Sequence, residues 1–152
     1  MNLELNKHNP EELRLLAFRF EELRDYNSSI KCLYQAAMAG SAMAYIDITY
    51  YIKYPVDGYE YTDEALDIVD PSKFGLYLDL AIKLDSVDAM FYKAREQFIG
   101  DGFIPYDLNS ALEIFKYLNT LGYDPYDTFD DDWTVEDYIE EVAKLIDESK
   151  SK

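Results

Sequence analysis

The sequence predicts an all-α fold, a short α-solenoid of about three antiparallel helix pairs closed by a C-terminal capping helix. Three observations predict it. A small-residue helix pattern runs into a short corner at Gln35 to Gly40, at Leu80 to Asp85 and at Tyr117 to Gly122. In the first two the spacing is identical: Ala36 or Ala81 lies four positions before the corner residue Gly40 or Asp85, and Ala44 or Ala89 lies four after it. The last segment has one apolar face and one face of Glu, Asp and Lys, which is what the end unit of a stack needs for solubility. The expected layout is one domain over residues 1–152. Its repeat-like units are near 10–40, 41–85 and 86–122, and an acidic loop and capping helix fill 123–150.

The elements follow in order. Asn9-Pro10-Glu11-Glu12 opens the first helix with a cap, a proline at the first helical position and acids at the positive end of the dipole; Leu13, Leu16, Ala17 and Phe20 form its apolar stripe. Asp25-Tyr26-Asn27 ends it. A second helix is expected from about Ser28 to Ala39 with Ile30, Leu33, Ala36 and Ala37 inward, and a third from about Ser41 to Lys53 beyond the break at Gly40. After Tyr54-Pro55-Val56-Asp57-Gly58 comes an insertion of about 18 residues, longer than ordinary helix connections, in which Asp63 to Val69 can form a helical turn. The fourth helix should start near Pro71-Ser72 and reach Leu84, burying Phe74, Tyr77, Leu78 and Ala81. The fifth, about Val87 to Ile99, carries Ala89, Tyr92, Ala94 and Phe98. Gly100 to Asp107 turns the chain, where two glycines allow positive φ and Pro105 closes the loop. Helix six, about Leu108 to Leu121, points Ala111, Ile114, Phe115 and Leu118 inward. Thr134 starts a last helix with Val135, Tyr138, Ile139, Val142 and Ile146 on one face.

Composition narrows the function classes. No apolar run approaches the roughly 20 residues of a membrane helix. Met1 to Asn6 lacks the basic and apolar regions of a secretory signal, so a cytoplasmic location is expected. Cys32, the single cysteine, reads as a small core side chain. The net charge is -17. Phosphates would be repelled, so neither nucleic acid nor an anionic membrane is an expected ligand, and a protein with a basic surface is.

The acids are concentrated. Six lie between Tyr54 and Ser72 and nine between Gly122 and Val142, and neither stretch contains a Lys or Arg. Aromatic residues run through both. Solvated acidic loops rarely carry tyrosine and tryptophan, which are enriched at interfaces, although such rings can also anchor a loop to its scaffold. The candidate partner-binding residues are therefore Tyr59, Tyr61, Asp63 and Glu64 in the first stretch. In the second they are Tyr123, Asp124, Tyr126, Asp127, Phe129, Asp130, Asp131, Asp132 and Trp133.

Residues Ala89 to Phe103, followed by Asp107, Ala111, Phe115 and Gly122, resemble one full Sel-like repeat, with a first helix, a Gly-x-Gly-aliphatic loop and a second helix ending in glycine. The segment departs from that pattern by one extra residue between Gly102 and Ala111, by Ala94 where glycine is usual, and by Leu118-Asn119 in place of paired alanines. Leu16, Ala17, Phe20, Tyr26, Ser29, Leu33 and Ala36 resemble a tetratricopeptide repeat. The middle unit keeps only Ala81 and the Asp85 corner. The resemblance implies protein-protein interaction without catalysis.

No constellation for catalysis opposes this. His8 is the single histidine and lies near the N-terminus, there is no phosphate-binding loop, and Gly100-Asp101-Gly102 lacks the third glycine and preceding strand of a dinucleotide site. The run from Asp127 to Trp133 has neither the alternating ligands nor the central glycine of a calcium loop. No catalytic residue, cofactor or metal is expected. Two functions remain. One is a small acidic inhibitor, such as an immunity protein or phage-type blocker, covering the basic surface of a toxin or nucleic-acid-binding protein. The other is an adaptor holding a peptide in a concave groove, where Arg14, Arg19, Lys93 and Arg95 are scattered rather than recurrent.

Overall fold

A computed structural model describes residues 9–151. Among these residues the regular structure is helical throughout, without a strand. His8 and the N-terminal hexapeptide lie outside the described residues. The backbone gathers into two compact units, Met1–Ser86 and Val87–Lys152, divided one residue beyond the boundary expected between the second and third repeat-like units.

In the first unit α1 spans Pro10–Glu22, α2 Tyr26–Met38, α3 Ala42–Lys53, α4 Asp63–Ile68 and α5 Phe74–Lys83, the last led in by a 3-10 turn at Pro71–Lys73. Helix α1 packs on α2, α2 on α3 and α4, and α3 on α5. Leu13, Ala17, Ile30, Leu33, Ala36, Ile46, Ile48, Phe74, Leu78 and Ala81 fill the interior, with Cys32 buried beside them. The Tyr45 and Tyr77 rings stack 5.9 Å apart between α3 and α5.

In the second unit α6 spans Val87–Ile99, α7 Leu108–Thr120, α8 Pro125–Phe129 and α9 Val135–Lys150. Helix α7 packs on both α6 and α9, and α8 touches α6. Phe91, Ala94, Ala111, Phe115, Leu118, Val135, Tyr138 and Val142 form one buried cluster, against which Ile114, Ile139 and Ile146 are half-buried. Thr134 and Asp137 close a reciprocal capping box at the start of α9.

The corners account for the regular alanine spacing. At Gly40 the φ is 108°, and at Asp85 it is 64°. The Gly40 and Ser41 N–H groups donate to the Ala37 and Ala36 carbonyls, and the Asp85 and Ser86 N–H groups donate to those of Ile82 and Ala81. Both are the paired-bond helix ending that satisfies the last carbonyls of a helix through a left-handed residue. Ala36 and Ala81 supply the carbonyl of the outer bond of the motif, while Ala44 and Ala89 stand third in the helix that follows. All four are fully buried, and at the Gly40 corner α2 packs on α3. Arg24 and Gly122 end α1 and α7 in the same way.

Several expected boundaries shift. Helix α2 begins at Tyr26 rather than Ser28, because Arg24 completes the preceding corner and Asp25 caps the Ser28 N–H at 3.2 Å. The expected loop after Gly122 contains a helix, α8, capped by Asp124 and led by Pro125. Gly100 does not use positive φ. A Cβ there would lie 2.3 Å from both the Glu96 carbonyl oxygen and its Oε2, so this glycine answers a lack of space.

Candidate functional site

The second acidic stretch is mounted on α6. Gly122 turns the chain so that the Tyr123 hydroxyl donates to Asp88 Oδ1 at 2.6 Å, and the Thr128 hydroxyl donates to the same oxygen at 2.7 Å. Burial, then the hydrogen bond and charge of Asp88, push the Tyr123 phenol far above its ordinary range. Phe129 lies 5.3 Å from the Phe91 ring and 5.7 Å from Tyr92. Asp130, at φ 52°, ends α8 and turns the chain back.

Asp131 is the centre of the mount. Its Oδ2 accepts from Arg95 at 3.2 Å and from the Tyr138 hydroxyl, while Oδ1 accepts from the Trp133 N–H at 3.0 Å. Its side chain is only 12% exposed. The Arg95 guanidinium also sits 5.1 Å from the Phe129 ring centre, 5.3 Å from Phe91 and 5.5 Å from Tyr92, a cation enclosed by aromatic faces. Burial first, then Asp131, raises the Tyr138 phenol well above its usual range. The Trp133 ring rests on Tyr138 at 5.0 Å and is still 43% exposed; Tyr126 is 58% exposed. Asp124, Asp127, Asp130 and Asp132 of the same stretch are exposed as well.

The first stretch is anchored by polar and ring contacts and by Ala65 and Ile68 of α4, both buried. The Tyr59 hydroxyl accepts from the Asn27 N–H at 3.3 Å, and its ring meets Tyr26 and Tyr61 edge-on, each at 4.9 Å. The Tyr61 hydroxyl accepts from the Val56 N–H at 2.9 Å. Asn27 brackets the segment, since its amide donates to the Glu60 carbonyl at 3.2 Å and its Oδ1 accepts from the Thr62 N–H at 2.9 Å. Tyr77, whose hydroxyl donates to the Ile68 carbonyl, fixes the far end. Cations reach this stretch from outside it: Lys31 pairs with Glu64 at 3.5 Å and Lys73 with Asp67 at 3.2 Å.

The candidate residues thus divide by what they touch. Tyr59, Tyr61, Tyr123, Phe129 and Asp131 hold their own segments in place. Asp63, Glu64, Asp124, Tyr126, Asp127, Asp130, Asp132 and Trp133 are exposed. Tyr59, Tyr61, Asp63 and Glu64 belong to the first unit and the other candidates to the second. Sequence reasoning missed Asn27, Asp88 and the part played by Arg95. For Arg95 a signal existed, because nine acids with no cation of their own require one from elsewhere in the fold. Among the described residues no group of three or more His, Cys, Asp or Glu side chains is arranged to hold a metal, and no helix is long and apolar enough to cross a membrane.

No protein-family model, no curated protein and no solved structure matches the chain.

Proposed function

We propose that the protein is a non-catalytic interaction module that covers a basic surface of a partner protein, acting as a stoichiometric inhibitor of the toxin-immunity or phage-blocker kind. The observation that carries this reading is the mounting of Tyr126 and Trp133. Both rings are exposed in a stretch that also exposes Asp124, Asp127, Asp130 and Asp132, yet its backbone is tied down by Asp131, Phe129 and Tyr123. Aromatic residues on an anchored backbone lose little entropy on binding, and exposed carboxylates of the same stretch speed the encounter with a cationic surface. In the same reading α1 with α2, α3 with α5 and α6 with α7 are three repeat-like helix pairs of the Sel-like or tetratricopeptide kind, and α9 is the cap.

The test keeps Asp131 intact, since it belongs to the mount. The protein and its D127N/D130N/D132N variant are used to capture partners from the native cell, and association with the captured protein is timed across salt concentrations. The reading expects the variant to bind more slowly at low salt and the two to converge at high salt, because exposed charges are screened over about 8 Å at physiological ionic strength. Trp133→Ala or Tyr126→Ala should cost about 2 kcal/mol of affinity. Equal capture and equal rates at every salt concentration would refute it.

A further inference from the structure

The first unit holds a cavity of about 350 Å³ between α1, α2, α3 and the start of the first acidic stretch. That is within the size range of small-ligand sites, about 300 to 1,000 Å³. Its walls include the rings of Phe18, Tyr50, Tyr51 and Tyr54, and its polar lining includes the carboxylates Glu21 and Asp47. The Tyr50 and Tyr54 rings stack 6.3 Å apart with 22° between their planes.

Two of these rings already carry cations of the chain itself. The Arg14 guanidinium lies 4.9 Å from the Phe18 ring centre while its Nε donates to Asp47 Oδ2 at 2.6 Å, and Lys53 Nζ is 5.9 Å from the Tyr54 ring centre. At Arg14 the wall displays the chemistry it favours, a guanidinium between an aromatic face and a carboxylate. One carboxylate is left over. Asp47 is answered by Arg14, but Glu21 takes only the Tyr51 hydroxyl at 3.2 Å, and among the described residues it has no cationic partner. The surplus is felt at Asp47: burial, which outweighs Arg14, together with repulsion from Glu21 and Glu11, holds its carboxyl above the usual range.

We propose that this cavity takes the side chain of an arginine or lysine from a protein partner, the cation lying against the tyrosine faces with Glu21 as its counter-charge. The site shares with the function proposed above only the sign of the partner's charge, and it does not depend on the Tyr126 and Trp133 surface.

The probe is a capped Gly-Arg-Gly tripeptide, titrated into the ¹⁵N-labelled protein and followed by amide chemical shifts. Its counterparts carry lysine or the neutral isostere citrulline in place of arginine. The arginine and lysine peptides should give saturable shifts at Phe18, Leu33, Tyr50, Tyr51 and Tyr54, and the citrulline peptide should not. Glu21→Gln should weaken binding about two- to fivefold, the range of an exposed charge pair. Tyr54→Ala should weaken it by a comparable factor, about two- to fivefold. Tyr54 is 63% exposed and Glu21 is exposed, so both variants should keep the fold, which the same spectra verify. The D127N/D130N/D132N variant should bind the peptide as the parent does. Equal shifts with citrulline, unsaturated shifts spread over exposed acids, or undiminished binding by Glu21→Gln/Tyr54→Ala would each overturn the proposal. Loss of binding in D127N/D130N/D132N alone would also overturn it while leaving the acidic-aromatic surface standing.

Discussion

The two acidic stretches have similar sequences and opposite constructions. Each mixes carboxylates with aromatic residues and contains no cation. The stretch from Tyr54 to Ser72 is held to its unit by tyrosine hydroxyls, by the side chain of Asn27 and by the buried Ala65 and Ile68 of α4, and its ion pairs, Lys31 with Glu64 and Lys73 with Asp67, involve exposed carboxylates. The stretch from Gly122 to Val142 is rooted by Phe129 and by the Arg95–Asp131 pair, whose side chains are 20% and 12% exposed. Density of acid therefore says little about what an acid does. What separates the two is whether a cation enclosed by rings waits beneath.

The comparison is tested most severely by removing one carboxylate from each stretch. Asp131→Ala leaves Arg95 facing Phe91, Tyr92 and Phe129 without its counter-charge and strips the Tyr138 hydroxyl of its acceptor; the expected loss is about 2 to 4 kcal/mol. Asp67→Ala removes an exposed pair and should cost no more than about 0.5 kcal/mol. Chemical denaturation of the two variants checks the contrast. Equal losses would show that the second mount is no tighter than the first.

Alkaline pH gives the next largest effect. Burial raises the phenols of Tyr51 and Tyr77 in the first unit and of Tyr123 and Tyr138 in the second, Tyr77 to about 12. A phenol raised in the folded state contributes stability that is fully present below the unfolded value of about 10 and is lost as pH rises through the folded value. The fold should therefore weaken above pH ~10, by up to about 1.4 kcal/mol per pH unit for each such tyrosine. Tyr138→Phe should reduce that slope even though it sacrifices a hydrogen bond at neutral pH. Denaturation midpoints measured from pH 9 upward decide it; an unchanged slope in the Phe variant would assign the alkaline loss to other groups.

Helical class and most helix spans were legible because they rest on local chemistry. Asn9, Ser41, Asp107 and Thr134 each cap the helix that follows, and the Ala36 and Ala81 spacing marks real helix endings. The start of α2 was misjudged because Arg24 does the work of a corner glycine, and no propensity suggests arginine at positive φ. Helix α8 was missed because its stability comes from Phe129 on Phe91 and Tyr92 rather than from its five residues. Within the candidate site, sequence could list the acids and rings but not sort them. Asp130, Asp131 and Asp132 are adjacent and chemically identical, and only the tertiary position of Arg95 sets the middle one apart.

A smaller effect isolates the first stretch. Asn27→Ala removes the bracket on the Glu60 carbonyl and Thr62 N–H, both near solvent, for an expected loss of about 1 kcal/mol. Amide exchange should accelerate around Thr62 and through α4 while α6, α7 and α9 keep their protection. Uniform acceleration across the chain would mean that the segment is integral to the fold rather than suspended from it.

The smallest effect concerns the left-handed corners that precede Asn27 and the second stretch. The chain reaches the second through Gly122 at φ 68°, a conformation glycine adopts freely, whereas the Asn27 bracket of the first follows Arg24 at φ 61°. For a residue with a Cβ this region costs about 1 to 2 kcal/mol, and glycine's extra freedom in the unfolded chain returns about 0.5 to 1. Arg24→Gly should therefore stabilise the protein by about 0.5 to 1 kcal/mol. Asp85→Gly should gain less, because aspartate tolerates the left-handed region better than arginine, and Gly122→Ala should lose about 1 kcal/mol. Urea midpoints for the three variants order them. If Arg24→Gly is destabilising, the arginine side chain makes a contribution at that corner larger than its backbone strain.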